Sequence, residues 1–533
     1  MRGNWFFVVL LCLVCGGRNA SVTAYQTITM SKVRPTPPMV RAAGSGVMAN
    51  PPREYFPVNS NPEFKITDVF VSPDEWMTFV VYVGFPESSH GAYHTRFFNE
   101  LFSSRYESVG DDERRYGQVR SPFVCDWKLP ISIGGHEQTR AFRSPNDEIQ
   151  YQQNVRGGAR YFETVVMECK VPRLIVTQHM IRSTVDLVYY NVDSEPEKRD
   201  AFRRAATEGR LNILNIQYAW SQEEMKKEES IIASSSLRVD EEPFSLAICT
   251  MAYRVDHFLP EWVAYHNLLG FEKIYIYDDS GRRPTSTHLL LQYWIKKGLV
   301  EYIPWPQTPK RTKVYFPRQI QGMNSCLRRF GKRHHFVFIG DADEFIVPAI
   351  SLRLRDRAEH NMKPLVAGKT IMEIAKNRMF GLLMMANASM SIKNIDVGGQ
   401  HQDALSGKSL ILGAADRVCA KGVTEDREKT FFFTNQGNLS VFPIVDQGHN
   451  IVIGSSQSLP RAAHPDVVRL HHHWSPTADR GCPYVDFDAI EALLKSHDPG
   501  EDFSDNSFTW VHTSPRSLHP LLADMLQVSG ETK

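Results

Sequence analysis

Between Leu246 and Gly340 short apolar runs alternate with helical periods, and this alternation constrains the fold more than any other feature of the chain. The runs LAICTM (Leu246 to Met251), KIYIYD (Lys273 to Asp278), LVEYI (Leu299 to Ile303) and HFVFIG (His335 to Gly340) are short and almost wholly apolar, as fully buried strands are. Between them lie FLPEWVAYHNLLG, PTSTHLLLQYWIKKG and RQIQGMNSCLRRFGKR, with apolar residues at helical spacing, Pro260 in a first turn, and Gly270 and Gly298 as stops. Strand and helix repeated in this way imply a parallel sheet with right-handed crossovers, hence an α/β domain.

Ligands of such sheets bind at the carboxyl ends of the strands. The second strand ends in Asp278-Asp279-Ser280-Gly281 and the fourth in Asp341-Ala342-Asp343-Glu344-Phe345. Acids gathered at one edge repel one another unless a cation compensates them. An Asp-x-Asp turn holding Mn²⁺, with Mg²⁺ as the alternative, would neutralise the charge left on the diphosphate when a sugar leaves its nucleotide. The competing reading is an acid pair solvated at a strand cap; the position after the fourth strand favours the metal. A phosphohydrolase with Asp341 as nucleophile is disfavoured, because Glu344-Phe345 stands where Thr or Val is expected.

The chain has 533 residues, more than one core usually organises, and its 61 basic and 60 acidic side chains give a net charge of +1, which favours no nucleic-acid partner. Residues 1–20, with Arg2 before an apolar run and small residues after it, read as a signal peptide or short signal anchor, and 21–62 as a flexible Pro-rich stem. Residues 63–221 hold Val-, Phe- and Tyr-rich runs between turns and read as a β-sandwich accessory module; 222–243 is a charged linker, 244–480 the α/β domain, and 481–533 a C-terminal helix and tail. Entry into the secretory pathway, with the Golgi lumen as destination, allows disulfides. Cys125 and Cys169 are the favoured pair, Cys249 and Cys326 read as buried thiols, and connectivity itself is not legible. Asn387 and Asn438 head N-glycosylation triplets. A homodimer is left open.

CTMAYRVDHFLPEWVAYHNLLGFEKIYIYDDSG and QIQGMNSCLRRFGKRHHFVFIGDADEFIVP resemble glycosyltransferase family 92, most nearly its plant galactan β-1,4-galactosyltransferases, and FVCDWKLP with ETVVMECKVP resembles the paired cysteine segments that precede the catalytic domain there. Ala342 departs from the Val usual in that family. The resemblance implies a GT-A fold, a carbohydrate-binding-like N-terminal module, Mn²⁺ dependence, and inverting transfer of galactose from UDP-galactose to a glycan acceptor. The alternative is a secreted carbohydrate-binding protein with an inactive transferase domain.

By this resemblance Thr250, Arg254 and Glu261 would line the nucleotide pocket, with Asp278 and Asp279 near the uridine or its ribose. Gln319 and Asn324, on the helix before the fourth strand, would face the diphosphate, Lys429 would neutralise phosphate, and Phe380 would stack on the sugar. Thr424-Glu425-Asp426 resembles the acidic pair that supplies the base in inverting GT-A enzymes, an inverting transfer needing a carboxylate to take the acceptor's proton. A histidine often completes the metal shell; strand alternation puts His471 and His473 on one face, and the family's histidine-aromatic ending favours this run over His449.

Overall fold

The computed structural model describes residues 64–71, 76–84, 123–133, 136–143, 149–153, 162–172, 184–189, 212–213, 245–253, 255, 259–279, 286–305, 316–348, 363–386, 389–399, 415–434, 444–446, 450–452, 461–463, 468–473, 484–486, 522 and 524–527. The expected leader, stem, linker and C-terminal helix near 488–497 lie outside them, as do Arg254, Asn387 and Asn438. No helix among the described residues is long and apolar enough to cross a membrane.

The N-terminal strands form two four-stranded antiparallel sheets. One orders β1 (Phe64–Val71), β2 (Trp76–Gly84), β6 (Phe162–Lys170) and β5 (Ile149–Gln153). The other orders β4 (His136–Arg143), β3 (Phe123–Ile133), β7 (Thr184–Tyr189) and β8 (Asn212–Ile213). A disulfide between Cys125 of β3 and Cys169 of β6 ties the two sheets together.

The second sheet system is built around β9 (Leu246–Ala252). It lies between β10 (Lys273–Asp278) and β12 (Phe336–Ile339), parallel to both, and β11 (Val300–Pro304) runs parallel outside β10. These are the four strands of the alternation, in parallel register. Beyond β12 the sheet turns mixed, which corrects the expectation of a mainly parallel sheet: the 19-residue β15 (Ala415–Phe433) pairs antiparallel with β12 and carries β14 (Met390–Gly399), β19 (Val468–His473) and β13 (Glu344–Pro348) beyond it. Short strands β18 (Arg461–Ala462) and β20 (Tyr484–Asp486) join β14 and β15, while β16 (Ile444–Asp446) and β17 (Asn450–Val452) form a separate hairpin.

The apolar runs carry no polar face because both faces of the parallel strands are covered. Leu246, Ile248, Ile274, Ile276, Phe336 and Phe338 point into one core, with α1 (Leu259–Leu268) and α5 (Pro364–Ala386). Ala247, Cys249, Tyr275, Tyr277, Val337 and Ile339 point into the other, beneath α4 (Phe316–Phe330). PTSTHLLLQYWIKKG is broken at Leu291 into α2 (Ser286–Leu290) and α3 (Gln292–Lys296). Gly270 (φ 102°) and Gly298 (φ 75°) take left-handed conformations behind α1 and α3, as their positions in the sequence suggest. Cys249 and Cys326 are bridged, tying β9 to α4 and correcting the reading of both as thiols. The two residues had looked apolar because the bridge lies between sheet and helix, with no surface exposed.

Candidate active site at the strand ends

β12 is followed by Gly340, where a Cβ would stand 2.4 Å from the ring of Phe338. That ring packs on Phe431 with centroids 4.8 Å apart, so it cannot yield cheaply, and the backbone turns there on a glycine. The turn Asp341–Asp343 follows, closed by Glu344 N donating to Asp341 O at 3.1 Å. Glu344 then opens β13, whose partner is β19.

Helix α1 holds β13 in place. Trp262 Nε1 donates to Glu344 O at 2.8 Å and Tyr265 OH to Ile346 O at 2.8 Å. His266 Nδ1 lies 2.9 Å from Trp262 O, which can only accept, so Nδ1 carries the proton and Nε2 accepts from Ile346 N at 3.5 Å. Burial drives the imidazole pKa down to about 3, against the opposing effect of that backbone bond. His266 is therefore neutral, and the Trp-Tyr-His spacing serves the architecture of the acid turn.

Four side chains converge on the turn. Gln319 Nε2 donates to Asp341 Oδ1, and Lys429 Nζ to Asp341 Oδ2 at 2.7 Å. Lys429 Nζ also lies 3.3 Å from Glu344 Oε2, which accepts from Asp341 N at 2.9 Å, while Asn394 Nδ2 donates to Glu344 Oε1 at 3.2 Å. On the far side of the turn His472 Nε2 is 3.5 Å from Asp343 Oδ2. Burial pushes Glu344 up to about 7; Lys429 and His472 oppose this shift, and Asp341 and Asp343 add to it. Burial alone would lower Lys429, but Asp341 and Glu344 outweigh it and hold the ammonium above its ordinary range. One lysine thus faces two acids, with Asp343 the third acid of the turn. The turn keeps a negative balance on Asp341 and Asp343, whose side chains remain 20% and 22% exposed.

Of the residues expected at the site, the structure brings together Gln319, Asp341, Asp343 and Lys429. Asp278 and Asp279 lie at the same edge of the sheet, buried, with Tyr302 OH donating to Asp278 Oδ2 and Asp279 N to Ala252 O. Thr250 and Glu261 are also buried. Asn324 is buried and donates its amide to Ile320 O at 2.8 Å, within α4. Phe380 lies elsewhere: a Cβ on Gly270 would meet its ring at 2.9 Å, and Gly270 precedes β10 at the edge opposite the acids. This corrects its placement beside the sugar. The three histidines of β19 differ in what their side chains meet. His472 meets Asp343, whereas His473 packs against Phe345 with ring centroids 5.0 Å apart and His471 accepts from Arg469 Nε at 3.0 Å. Glu344, Asn394 and His472 were not assigned from sequence; the acid beside Asp-x-Asp was the available signal for the first.

Glu425 and Asp426 fall where β14 and β15 lose register. Ile392 faces Lys429 and Asn394 faces Thr424, so five steps along β15 oppose two along β14, and the acidic pair occupies the surplus. Bulges of this kind re-aim backbone beside functional sites.

The family model described as Glycosyltransferase family 92 matches residues 242–375. A β-1,4-galactosyltransferase of Caenorhabditis elegans is 27% identical over 118 residues, 21% of this chain and 28% of that protein. Glycosyltransferase family 92 proteins of Ricinus communis (28% over 120 residues; 22% and 20%) and Arabidopsis thaliana (29% over 101 residues; 19% and 16%) are similar as well. The matches thus span less than a third of these relatives' length. The family match takes in α1, α4 and the acid turn, and stops short of Asn394, Lys429 and His472.

Proposed function

We propose that this chain, whose residues 242–375 match the model of glycosyltransferase family 92, transfers galactose from UDP-galactose to a glycan acceptor, with inversion and with the help of Mn²⁺. The observation that carries this reading is the acid turn. Asp341 and Asp343 stand at the carboxyl edge of the parallel strands, inside the family match, with more negative charge than Lys429 balances.

The donor set suits a divalent cation. Asp341 is engaged by Gln319 and Lys429, while Asp343 presents a partly exposed carboxylate beside the His472 imidazole. Among the described residues no three His, Cys, Asp or Glu side chains form a ready-made cluster, so phosphate oxygens of the donor would complete the shell. Asp343 and His472, with Asp341 behind them, would hold the ion. His471, of the pair expected from sequence, accepts from Arg469, while His473 meets Asp343 through its backbone, N donating to Asp343 O at 2.9 Å. A divalent cation held there would supply charge neutralisation at the diphosphate. Gln319 and Lys429 fix the rotamer of Asp341. Glu425 or Asp426, on the β15 bulge, takes the proton from the acceptor hydroxyl. Thr250, Glu261, Asp278 and Asp279 shape the nucleotide end of the cleft.

The name of the C. elegans relative supports galactose as the sugar. Two antiparallel sheets joined by Cys125–Cys169 support a β-sandwich that contacts the acceptor glycan, and two disulfides support an oxidising lumen such as that of the Golgi. The test is a screen of nucleotide sugars for UDP release by the purified chain, with Mn²⁺ and with EDTA. UDP-galactose turnover that EDTA abolishes is expected; a chain silent with every donor overturns the reading.

A further inference from the structure

Helix α4 is enclosed on both sides. Met323, Cys326, Leu327 and Phe330 sit in the core under β9, β10 and β12, and the opposite side meets the N-terminal strands β1, β2 and β6. That second contact is polar yet buried. Arg329 donates to Asp68 of β1 through Nε at 2.8 Å and Nη2 at 2.6 Å, and neither side chain is more than 1% exposed. The guanidinium lies 4.5 Å from the centroid of Phe70. Ser325 Oγ donates to Asp68 Oδ2, so Tyr277 OH of β10, 2.9 Å from Ser325 Oγ, donates to Ser325. Arg328 Nη1 and Thr78 Oγ1 both donate to Glu168 Oε1 at 3.1 Å.

A buried ion pair is a poor source of stability compared with an apolar pair of the same volume, but a bidentate fork admits one orientation. Orientation is what α4 needs. The Cys249–Cys326 bridge pins the helix at one point, and Arg329 adds a second attachment three residues further on. Two turns before the bridge the same helix presents Gln319 to Asp341.

We propose that the N-terminal strand module is a fixed wall of the catalytic unit, and that Asp68 and Arg329 are positioning residues which set α4 so that Gln319 holds Asp341. The role of Asp341 in transfer comes from the function proposed above; the mechanical link does not depend on it. Asp68→Asn alone would strand a buried guanidinium and can unfold the chain, so the informative variant is Asp68→Leu with Arg329→Met, which leaves neither partner's charge stranded. Arg329→Lys, which keeps the charge and loses the fork, is the second probe.

Hydrogen exchange of the full chain reads the result directly. In the paired variant the amides of Asp341 and Glu344 should exchange at least about tenfold faster while those of β9 keep their protection, with a smaller change in Arg329→Lys. In a donor assay kcat should fall about tenfold with KM for the donor unchanged, and the loss should be non-additive with that of Gln319→Leu, since both act through one contact. A folded paired variant with unchanged exchange at Asp341 and Glu344, or a kcat loss that simply adds to that of Gln319→Leu, overturns the proposal. A wild-type chain silent with every donor would instead sink the transferase reading, and the exchange measurement would still decide this one.

Discussion

The indole Nε1 of Trp262 donates to the backbone carbonyl of Glu344 at 2.8 Å, so the helix after the first parallel strand holds the strand that begins at the acid turn. Trp262→Phe keeps most of the buried ring and leaves that carbonyl unsatisfied. A loss of about 1–3 kcal/mol in urea unfolding is expected, together with a fall in donor turnover because Glu344 is no longer anchored. Unchanged stability would mean that the indole only fills space.

Lys429 lies between Asp341 and Glu344 with its side chain 1% exposed. Lys429→Met leaves two acids facing each other, and a destabilisation of about 3–5 kcal/mol is expected at neutral pH. Adding Glu344→Gln removes one of the stranded charges, so the double variant should be more stable than Lys429→Met alone. Equal or lower stability of the double variant in chemical denaturation would contradict the charge account.

The two aspartates should separate in their effects. Asp343→Ala is expected to abolish transfer, a loss of at least about 10²-fold in UDP release with Mn²⁺, while unfolding stays close to that of the wild type. Asp341→Ala should also lose activity but in addition lower stability, because Lys429 and Gln319 lose their shared acceptor. Transfer by Asp343→Ala at the unmodified rate would remove the metal assignment.

His266 gives the chain an acid limit. Its folded pKa is about 3 and its unfolded value about 6.5, so below pH 6.5 the unfolded chain takes up a proton that the folded chain refuses. Stability falls as pH drops from about 6.5 toward 3, by about 1.4 kcal/mol per pH unit from this group, and is free of the effect above 6.5. His266→Asn should be less stable at pH 7, having lost its packing and bonds, yet show an acid limb shallower by one proton. An unaltered slope in denaturation midpoints between pH 6.5 and 4 would show that His266 is not the group.

The parallel core was legible because each strand there is buried on both faces, which writes an uninterrupted apolar run, and because Gly270 and Gly298 stop helices in a conformation that glycine takes most readily. The acid turn was legible from the same run: carboxylates directly behind a buried strand crowd like charge at the carboxyl edge of the parallel strands, which is costly without a compensating cation. What failed depended on tertiary phase. The period of two along β19 was read correctly, but which of its faces meets Asp343 is set by pairing with β13, and that pairing puts Glu344 opposite His472. Phe380 carries an apolar signature equally suited to a sugar platform and to packing under Gly270. The Cys249–Cys326 bridge joins residues 77 apart, and only the seating of α4 over β9 brings them within reach.

The two cross-links also set the conditions under which the protein can be made. One staples the N-terminal sheets to each other and the other clamps the helix that bears Gln319, so synthesis in a reducing cytosol would omit both at once. By loop-closure entropy alone, bridges spanning 44 and 77 residues each contribute about 4 kcal/mol, of the order of a whole domain's margin. Recombinant material should therefore come from a host with oxidative folding, and an inactive batch from any other source says nothing about the proposed transfer until its thiols have been counted.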